Sequence, residues 1–416
     1  MHPIDQQFDA DFANALAKLE SYNKHLYRPN SYLHKWWARR CGSTFRTILK
    51  HLVSDGAVQD YYEPGGRAGK IILDPMMGGG TTLHEAIRLG ANVIGADIDP
   101  IPVLQARASL ADLPLADLQA GFDDFFAQTA RAVAPFFETS CPHCQTAVPQ
   151  RYTLYGWRQQ CPCGEALFVD YLTLRHTSDG SKIHICPTTH DVCHDDRRIS
   201  QAAAGDKLPL FTRAQKVCPT CAQPFTEDLT QPYFKRYVPL VVVGKCPQHK
   251  LFMRAMGEAE WVRWQAAEAM RDELAWQTAV FQIPTGPKSN SLHVRGIHSY
   301  LDLFSSRQLL FLHAAMQALP NNSQLIRLNL ALLLSTALEF NSLLCGYKGV
   351  GKRRSGAIKH TFVRHAYSFP YTALENNPVY PLRSSGGLQN LFQSRIVRGR
   401  KWAAAPIERR VVNGKA

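Results

Sequence analysis

No apolar run in this chain approaches the roughly 18 to 20 residues that a membrane-spanning helix needs. The longest, around Leu240–Val243 and Leu330–Leu334, are far shorter. Asp5, Asp9, Asp11 and Glu20 near the start are wrong for a secretory leader. Acids are scarce overall, with 34 Asp and Glu against 47 Lys and Arg. The resulting charge of +13 argues for a polyanionic partner such as nucleic acid rather than for an acidic metabolite. Cysteine is scarce outside one window: of 11, only Cys41 and Cys345 lie beyond Cys141–Cys246, and both read as buried thiols. Internal repeats and low-complexity tracts are lacking too. What remains is 416 residues, 45% of them hydrophobic, which is material for two or three folded domains in a cytoplasmic protein with no membrane partner.

Local pattern divides the chain into four parts. Residues 1–135 combine helices with two apolar strands. Phe12, Leu16 and Leu19 recur at helical spacing, and after a turn at Tyr27–Asn30 the stretch from Tyr32 to Arg40 reads as opening a second helix that runs on through Thr47 and Leu52. Residues 136–255 change to Cys, Pro and short strands, a texture that fits a zinc-ribbon insertion. Helix formers return over 256–345, and 346–416 is basic and loop-rich.

The most informative segment is Leu73-Asp74-Pro75-Met76-Met77-Gly78-Gly79-Gly80-Thr81-Thr82. It follows the strand Ile71–Leu73 and opens a helix over Thr81–Leu89. A second strand, Asn92–Ile94, then ends at Gly95-Ala96-Asp97. Three glycines permit positive φ and close approach of a ligand, while the helix directs free amides at the turn. Asp97, nineteen residues after Gly78, stands where a carboxylate accepts the hydroxyls of a ribose. A P-loop is excluded because no Gly-Lys-Ser/Thr is present, and the lack of Gly-x-Gly-x-x-Gly weighs against a dinucleotide.

Asp74 to Thr82 resembles the S-adenosylmethionine motif of DNA methyltransferases that modify amino groups, adenine N6 or cytosine N4, with Gly79 where that family usually has serine. Gly95–Pro100 is similar to its ribose-binding acidic segment. A narrower likeness, to prokaryotic adenine-specific DNA methylases with a zinc-ribbon insertion, rests on His34–Arg40, Asp302–Leu310, Asn341–Gly349, His360–Ala366 and Glu375–Pro378. The resemblance implies an α/β, Rossmann-like methyltransferase core. It also implies a cofactor site at Asp74, Pro75, Met76, Gly78, Gly79, Gly80, Thr81, Thr82, Asp97 and Ile98. Trp36, Trp37, Arg39 and Arg40 read equally as a cofactor lid and as ordinary core and surface.

Amino methyltransferases also need Asp/Asn/Ser-Pro-Pro-Tyr/Phe, which accepts from the target amino group and stacks on the flipped base. It is missing here. The nearest string, Ser368-Phe369-Pro370-Tyr371, reads as an incidental loop. The expectation is therefore a chain with the cofactor half, a metal module and an incomplete sheet. The catalytic motif would come from a partner subunit or from sequence lost by truncation.

Cys141-Pro-His-Cys144 with Cys161-Pro-Cys163 supplies four thiolates, and Cys218-Pro-Thr-Cys221 with Cys246-Pro-Gln-His249 supplies a second set; each matches tetrahedral, structural zinc. Cys186, His190, Cys193 and His194 resemble a third site with Thr189 in place of a ligand. Two basic clusters, Lys348 to Lys359 and Arg395 to Arg410, suit phosphate contacts. The functional expectation is an S-adenosylmethionine-dependent DNA methyltransferase of the modification or phage-defence type. The alternative is a non-catalytic DNA-binding or scaffold subunit that retains both kinds of site.

Overall fold

The computed structural model describes residues 4–23, 27–36, 40–276, 278–350, 356–363 and 366–410. The protein is mixed α/β and packs as two compact units. One comprises Met1–Asp123, Leu319–Thr336 and Leu391–Ala416; the other comprises Asp124–Ala318 and Ala337–Asn390. Among the described residues no helix is long and apolar enough to cross a membrane.

The first unit holds helix α1 (Ala10–Tyr22), α2 (Gly42–His51), strand β1 (Ile71–Asp74), α3 (Thr81–Arg88), β2 (Asn92–Gly95) and α4 (Pro100–Leu110). The second helix begins at Gly42, about ten residues after the start suggested by local pattern. The reason is a long-range cap: the Glu20 carboxylate accepts from the amides of Gly42 and Ser43, both at 2.8 Å, fixing the first turn from another helix. Residues 33–36 are not helical, and residues 37–39 lie outside the described set.

Strands β1 and β2 pair in parallel, Ile71 opposite Asn92 and Asp74 opposite Gly95, with α3 as the crossover. One face of this two-stranded sheet is covered: Ile72 and Val93 pack on Leu49, Ala86, Leu89 and Ala91. The other is bare. Ile71, Leu73 and Ile94 are 66%, 63% and 56% exposed, and no described strand pairs with either outer edge. Parallel strands normally bury both faces, and this pair leaves one open.

The second unit is organised by one 15-residue strand, β3 (Ala147–Cys161). It pairs antiparallel with β4 (Gly164–Val169), β10 (Tyr237–Cys246) and β12 (Thr372–Asn376). The parallel pairing of β9 (Leu210–Thr212) with β4 makes the nine-stranded sheet mixed. A four-stranded antiparallel sheet is formed by β5 (Thr173–His176), β6 (Lys182–Ile185), β7 (Val192–His194) and β8 (Arg197–Ser200). The hairpin β10–β11 (Lys250–Ala255) completes the strands between them.

Period-two alternation sends Tyr152 and Leu154 to a core with Leu167, Val169, Val241 and Val243. Tyr155 and Trp157 go to the opposite face with Tyr233, Tyr237 and Leu303. Each such side chain, fully buried, contributes about 1.5–3 kcal/mol. Between the layers runs a buried polar knot: Glu375 accepts from Arg307, Ser305 and, at 2.6 Å, the hydroxyl of Tyr155, while Arg307 also donates to Thr153 at 2.9 Å and Gln150 at 3.1 Å. Two segments quoted for the family likeness, Asp302–Leu310 and Glu375–Pro378, thus meet in one network.

Candidate functional site

The eight metal-ligand candidates assemble into two clusters of four, each with its ligand atoms within 4.8 Å of one another. The pairing differs from the tandem one that the sequence suggests. Cys141 and Cys144 join Cys246 and His249, and Cys161 and Cys163 join Cys218 and Cys221, so the first set encloses the second along the chain. Strand pairing dictates this. Cys141 and Cys144 precede β3, whose residues Gln150–Trp157 run antiparallel beside β10, and β10 delivers Cys246 to the starting end of β3. Cys161 closes the far end of β3, next to the hairpin into β4. Sixteen intervening residues that look like a short linker are therefore a rigid strand holding two knuckles apart.

The spacing within the first cluster fits zinc. A tetrahedral ion with ordinary Zn–S and Zn–N bonds separates its ligands by roughly 3.6–3.8 Å. Here Cys144 Sγ to Cys246 Sγ is 3.7 Å, and His249 Nδ1 lies 3.6 Å from Cys141 Sγ and 3.7 Å from Cys246 Sγ. The second cluster is tighter, with Cys163 Sγ 3.2 Å from Cys161 Sγ and 3.3 Å from Cys218 Sγ. Hydrogen bonds favour the thiolate at two of these cysteines, Thr146 drawing Cys144 down to about 6 and the amide of Cys221 doing the same for Cys218, whereas burial pushes Cys141 up and hydrogen bonds with Cys161 and Cys218 push Cys163 up. Four ligands per cluster close the shell, leaving no place for a reacting water.

The knuckles at Cys141 and Cys218 share one backbone pattern. Cys141 N donates to Thr146 O and Gln145 N to Cys141 O, each at 2.9 Å; Cys218 N donates to Gln223 O at 2.8 Å and Ala222 N to Cys218 O at 2.9 Å. Gln145 and Ala222 both take positive φ. The turn at Cys186 is the same: Cys186 N donates to Asp191 O at 2.8 Å, His190 N donates to Cys186 O at 3.0 Å, and His190 has φ 59°. Among the described residues Cys186 and Cys193 belong to no four-ligand cluster. The knuckle fold persists there with Thr189 at the position of the second cysteine.

The glycine turn and the acid of the next strand also meet. Asp97 Oδ2 accepts from Gly78 N at 2.9 Å and Oδ1 from Asp99 N at 3.0 Å; the amides of Asp99 and Gly78 hold the carboxyl below its ordinary range. Met77 N donates to Ala96 O and Ala96 N to Asp74 O, each at 3.0 Å, stitching the two strand ends together. Gly78 and Gly80 have φ of 51° and 77°, which a side chain would resist. Thr81 and Thr82 form the first turn of α3, Asp74 caps the turn by accepting from Met76 N at 3.2 Å, and Gly79 is buried. Pro75, Met76 and Ile98 are exposed, Ile98 entirely.

Trp36 is the neighbour that local pattern leaves undecided. Its indole Nε1 is buried, has no hydrogen-bond partner among the described residues, and lies 3.2 Å from where a Cβ on Gly78 would stand. Trp37 and Arg39 fall outside the described residues. Deeper in α3, His84 is fully buried between Asn30 Nδ2 at 3.1 Å and Ser109 Oγ at 3.0 Å, and burial drives it down to about 4. Ser368–Tyr371 is a core-packing loop: Phe369 meets Tyr233, Tyr371 meets Trp157, and Pro370 O accepts from Tyr237.

The basic stretches separate. Residues 351–355 of the first lie outside the described set. In the second, Arg400 donates to the carbonyls of Ala108, Ala111 and Leu113, capping α4 rather than facing solvent. Comparisons with family models, curated proteins and solved structures give no match.

Proposed function

We propose that this chain is the cofactor-holding, metal-stapled component of an S-adenosylmethionine-dependent DNA amino methyltransferase, with a Rossmann-like core completed by a partner polypeptide. The observation that carries the reading is the hydrogen bond from Gly78 to Asp97, which joins a positive-φ glycine turn to a strand-end carboxylate across a parallel strand–helix–strand unit. Each Asp97 oxygen keeps acceptor capacity for a ribose hydroxyl after binding its amide. Gly78 and Gly80 let the backbone approach the ligand, and the first turn of α3 presents amides to it. When bound, the sulfonium would supply an electrophilic methyl group. Asp74 and Asp97 would orient the cofactor's two ends, and Trp36 would cover the turn beside Gly78.

The bare face of β1 and β2 supports the partner. A parallel sheet with open edges and exposed Ile71, Leu73 and Ile94 accommodates further strands, and the motif Asp/Asn/Ser-Pro-Pro-aromatic would arrive on one of them. The net charge suits a DNA substrate, adenine N6 or cytosine N4. Both metal clusters would be structural. The test is to mix the purified chain with a polypeptide carrying the proline-proline-aromatic motif and measure transfer of a labelled methyl group from S-adenosylmethionine to duplex DNA. Transfer by the mixture but by neither protein alone supports the proposal. Duplex binding without transfer by any such mixture favours the scaffold alternative.

A further inference from the structure

In the first unit, three arginines remote in sequence converge on one carboxylate. Glu408 Oε2 accepts from Arg28 Nη2 at 3.0 Å and from the Tyr61 hydroxyl at 2.9 Å; its Oε1 accepts from Arg88 Nη2 at 2.5 Å and lies 3.9 Å from Arg46 Nε. Arg28 and Arg88 are also tied to Glu85, at 2.8 and 2.7 Å. Trp402 lies over both guanidiniums, 5.8 and 4.7 Å from ring centroid to Cζ, which leaves their edges free to donate. Glu408 stands on a segment, Ala405–Arg410, with neither helix nor strand. Burial raises its carboxyl, and Arg28 and Arg88 outweigh that, holding it below the ordinary range.

The arrangement is more than a closed ion-pair network. A cavity of about 310 Å³ opens beside Glu408, lined by Arg46, Tyr62, Pro64, Arg88, Pro406 and Arg410. Arg88 Nε is buried with no hydrogen-bond partner among the described residues, a donor whose desolvation nothing offsets. Arg410, exposed, lines the cavity and lies over the Tyr62 ring at 5.3 Å. Three guanidiniums, Arg46, Arg88 and Arg410, line the cavity against one carboxylate, Glu408, so the formal excess of its lining is two positive charges. A structural network has no need of that excess or of the space.

We propose that this cavity is a binding site for a phosphate group, bridged by Arg46, Arg88 and Arg410, and that Glu408 is its built-in competitor. Guanidinium edges match phosphate oxygens in forked pairs, and the charge excess equals that of a phosphate monoester. The carboxylate already seated on Arg28 and Arg88 shows that these donors hold an oxyanion, and it repels a second one entering beside it. The phosphate is either free, as on a mononucleotide, or part of a DNA backbone. The site lies at the C-terminal end of α3, whose N-terminal end carries the glycine turn.

The experiment measures melting temperature and binding of the full chain with inorganic phosphate, then with a duplex oligonucleotide as competitor. The expected result is saturable stabilisation by phosphate that chloride at equal ionic strength does not give. Arg410→Gln weakens it at least about fivefold without unfolding the chain, since Arg410 is exposed, and Glu408→Gln strengthens it by a similar factor. Competition by duplex assigns the phosphate to a backbone; absence of competition assigns it to a small ligand. If Glu408→Gln disrupts folding, judged by circular dichroism, the Arg410→Gln comparison decides alone. No saturable response to phosphate, or one that Arg410→Gln leaves unchanged, overturns the proposal. Unchanged S-adenosylmethionine affinity in Arg410→Gln separates this site from the cofactor site.

Discussion

The enclosing arrangement of the two metal clusters makes a prediction that the tandem arrangement reverses. Removing two ligands from one tetrahedral site abolishes it, whereas removing one ligand from each of two sites damages both. Cys141 and Cys246 share a cluster, and Cys161 belongs to the other. Cys141→Ser with Cys246→Ser should therefore leave one zinc equivalent per chain, and Cys141→Ser with Cys161→Ser should leave less than one. The loops also differ. The outer cluster closes the 102-residue span from Cys144 to Cys246, against 17 residues to Cys161 in the tandem pairing. With loop-closure cost rising as the logarithm of length, that difference weakens metal capture from the unfolded chain roughly 15-fold. Metal analysis of the two purified double variants after dialysis reads the first effect directly, and refolding in buffered zinc reads the second. Retention of one full equivalent by the Cys141/Cys161 variant, with loss of both by the Cys141/Cys246 variant, would refute the enclosing pairing.

His84 makes stability depend on pH. Its folded value of about 4 lies below the ordinary histidine range, so between there and about 6.5 the unfolded chain takes up a proton that the folded one refuses. Stability is fully present above about 6.5 and falls by roughly 3 kcal/mol as pH drops toward 4. Urea midpoints at pH 7.5 and 5 should show the loss, and His84→Gln should flatten it; an equal loss in the variant would exclude His84 as its source. In the second unit, Glu375→Gln should cost about 3–5 kcal/mol because it strands buried Arg307. Arg307→Met with Glu375→Leu should cost much less than the two single changes together, and strict additivity in urea titrations would count against a buried network.

What was legible in the sequence follows the range of the interactions. The strand–turn–helix–strand order over Ile71–Gly95 was readable because its signals are local: apolar runs, three glycines and an acid at fixed spacing. The eight ligands were readable for the same reason, since each knuckle is a short motif. Their partners were not. Which knuckles meet is decided by the register of β3 against β4 and β10, and no local pattern records a pairing that spans a hundred residues. The start of α2 was misplaced because its cap is Glu20, twenty-two residues upstream of Gly42. Arg28, Arg46, Arg88 and Glu408 gave no sequence signal at all, being isolated charges that only the fold assembles. The helical segment near Arg400 looked loop-like because its arginines and glycines hide the burial of Phe392 and Ile396.

Titration calorimetry of the purified chain with S-adenosylmethionine reaches the main proposal in one step. Saturable one-to-one binding is expected, weakened at least about tenfold in Asp97→Ala, because under the proposal the acid would receive the ribose, and it braces the turn through Gly78. Heats that vanish for the unaltered protein, or an Asp97→Ala variant that binds as well, would contradict it.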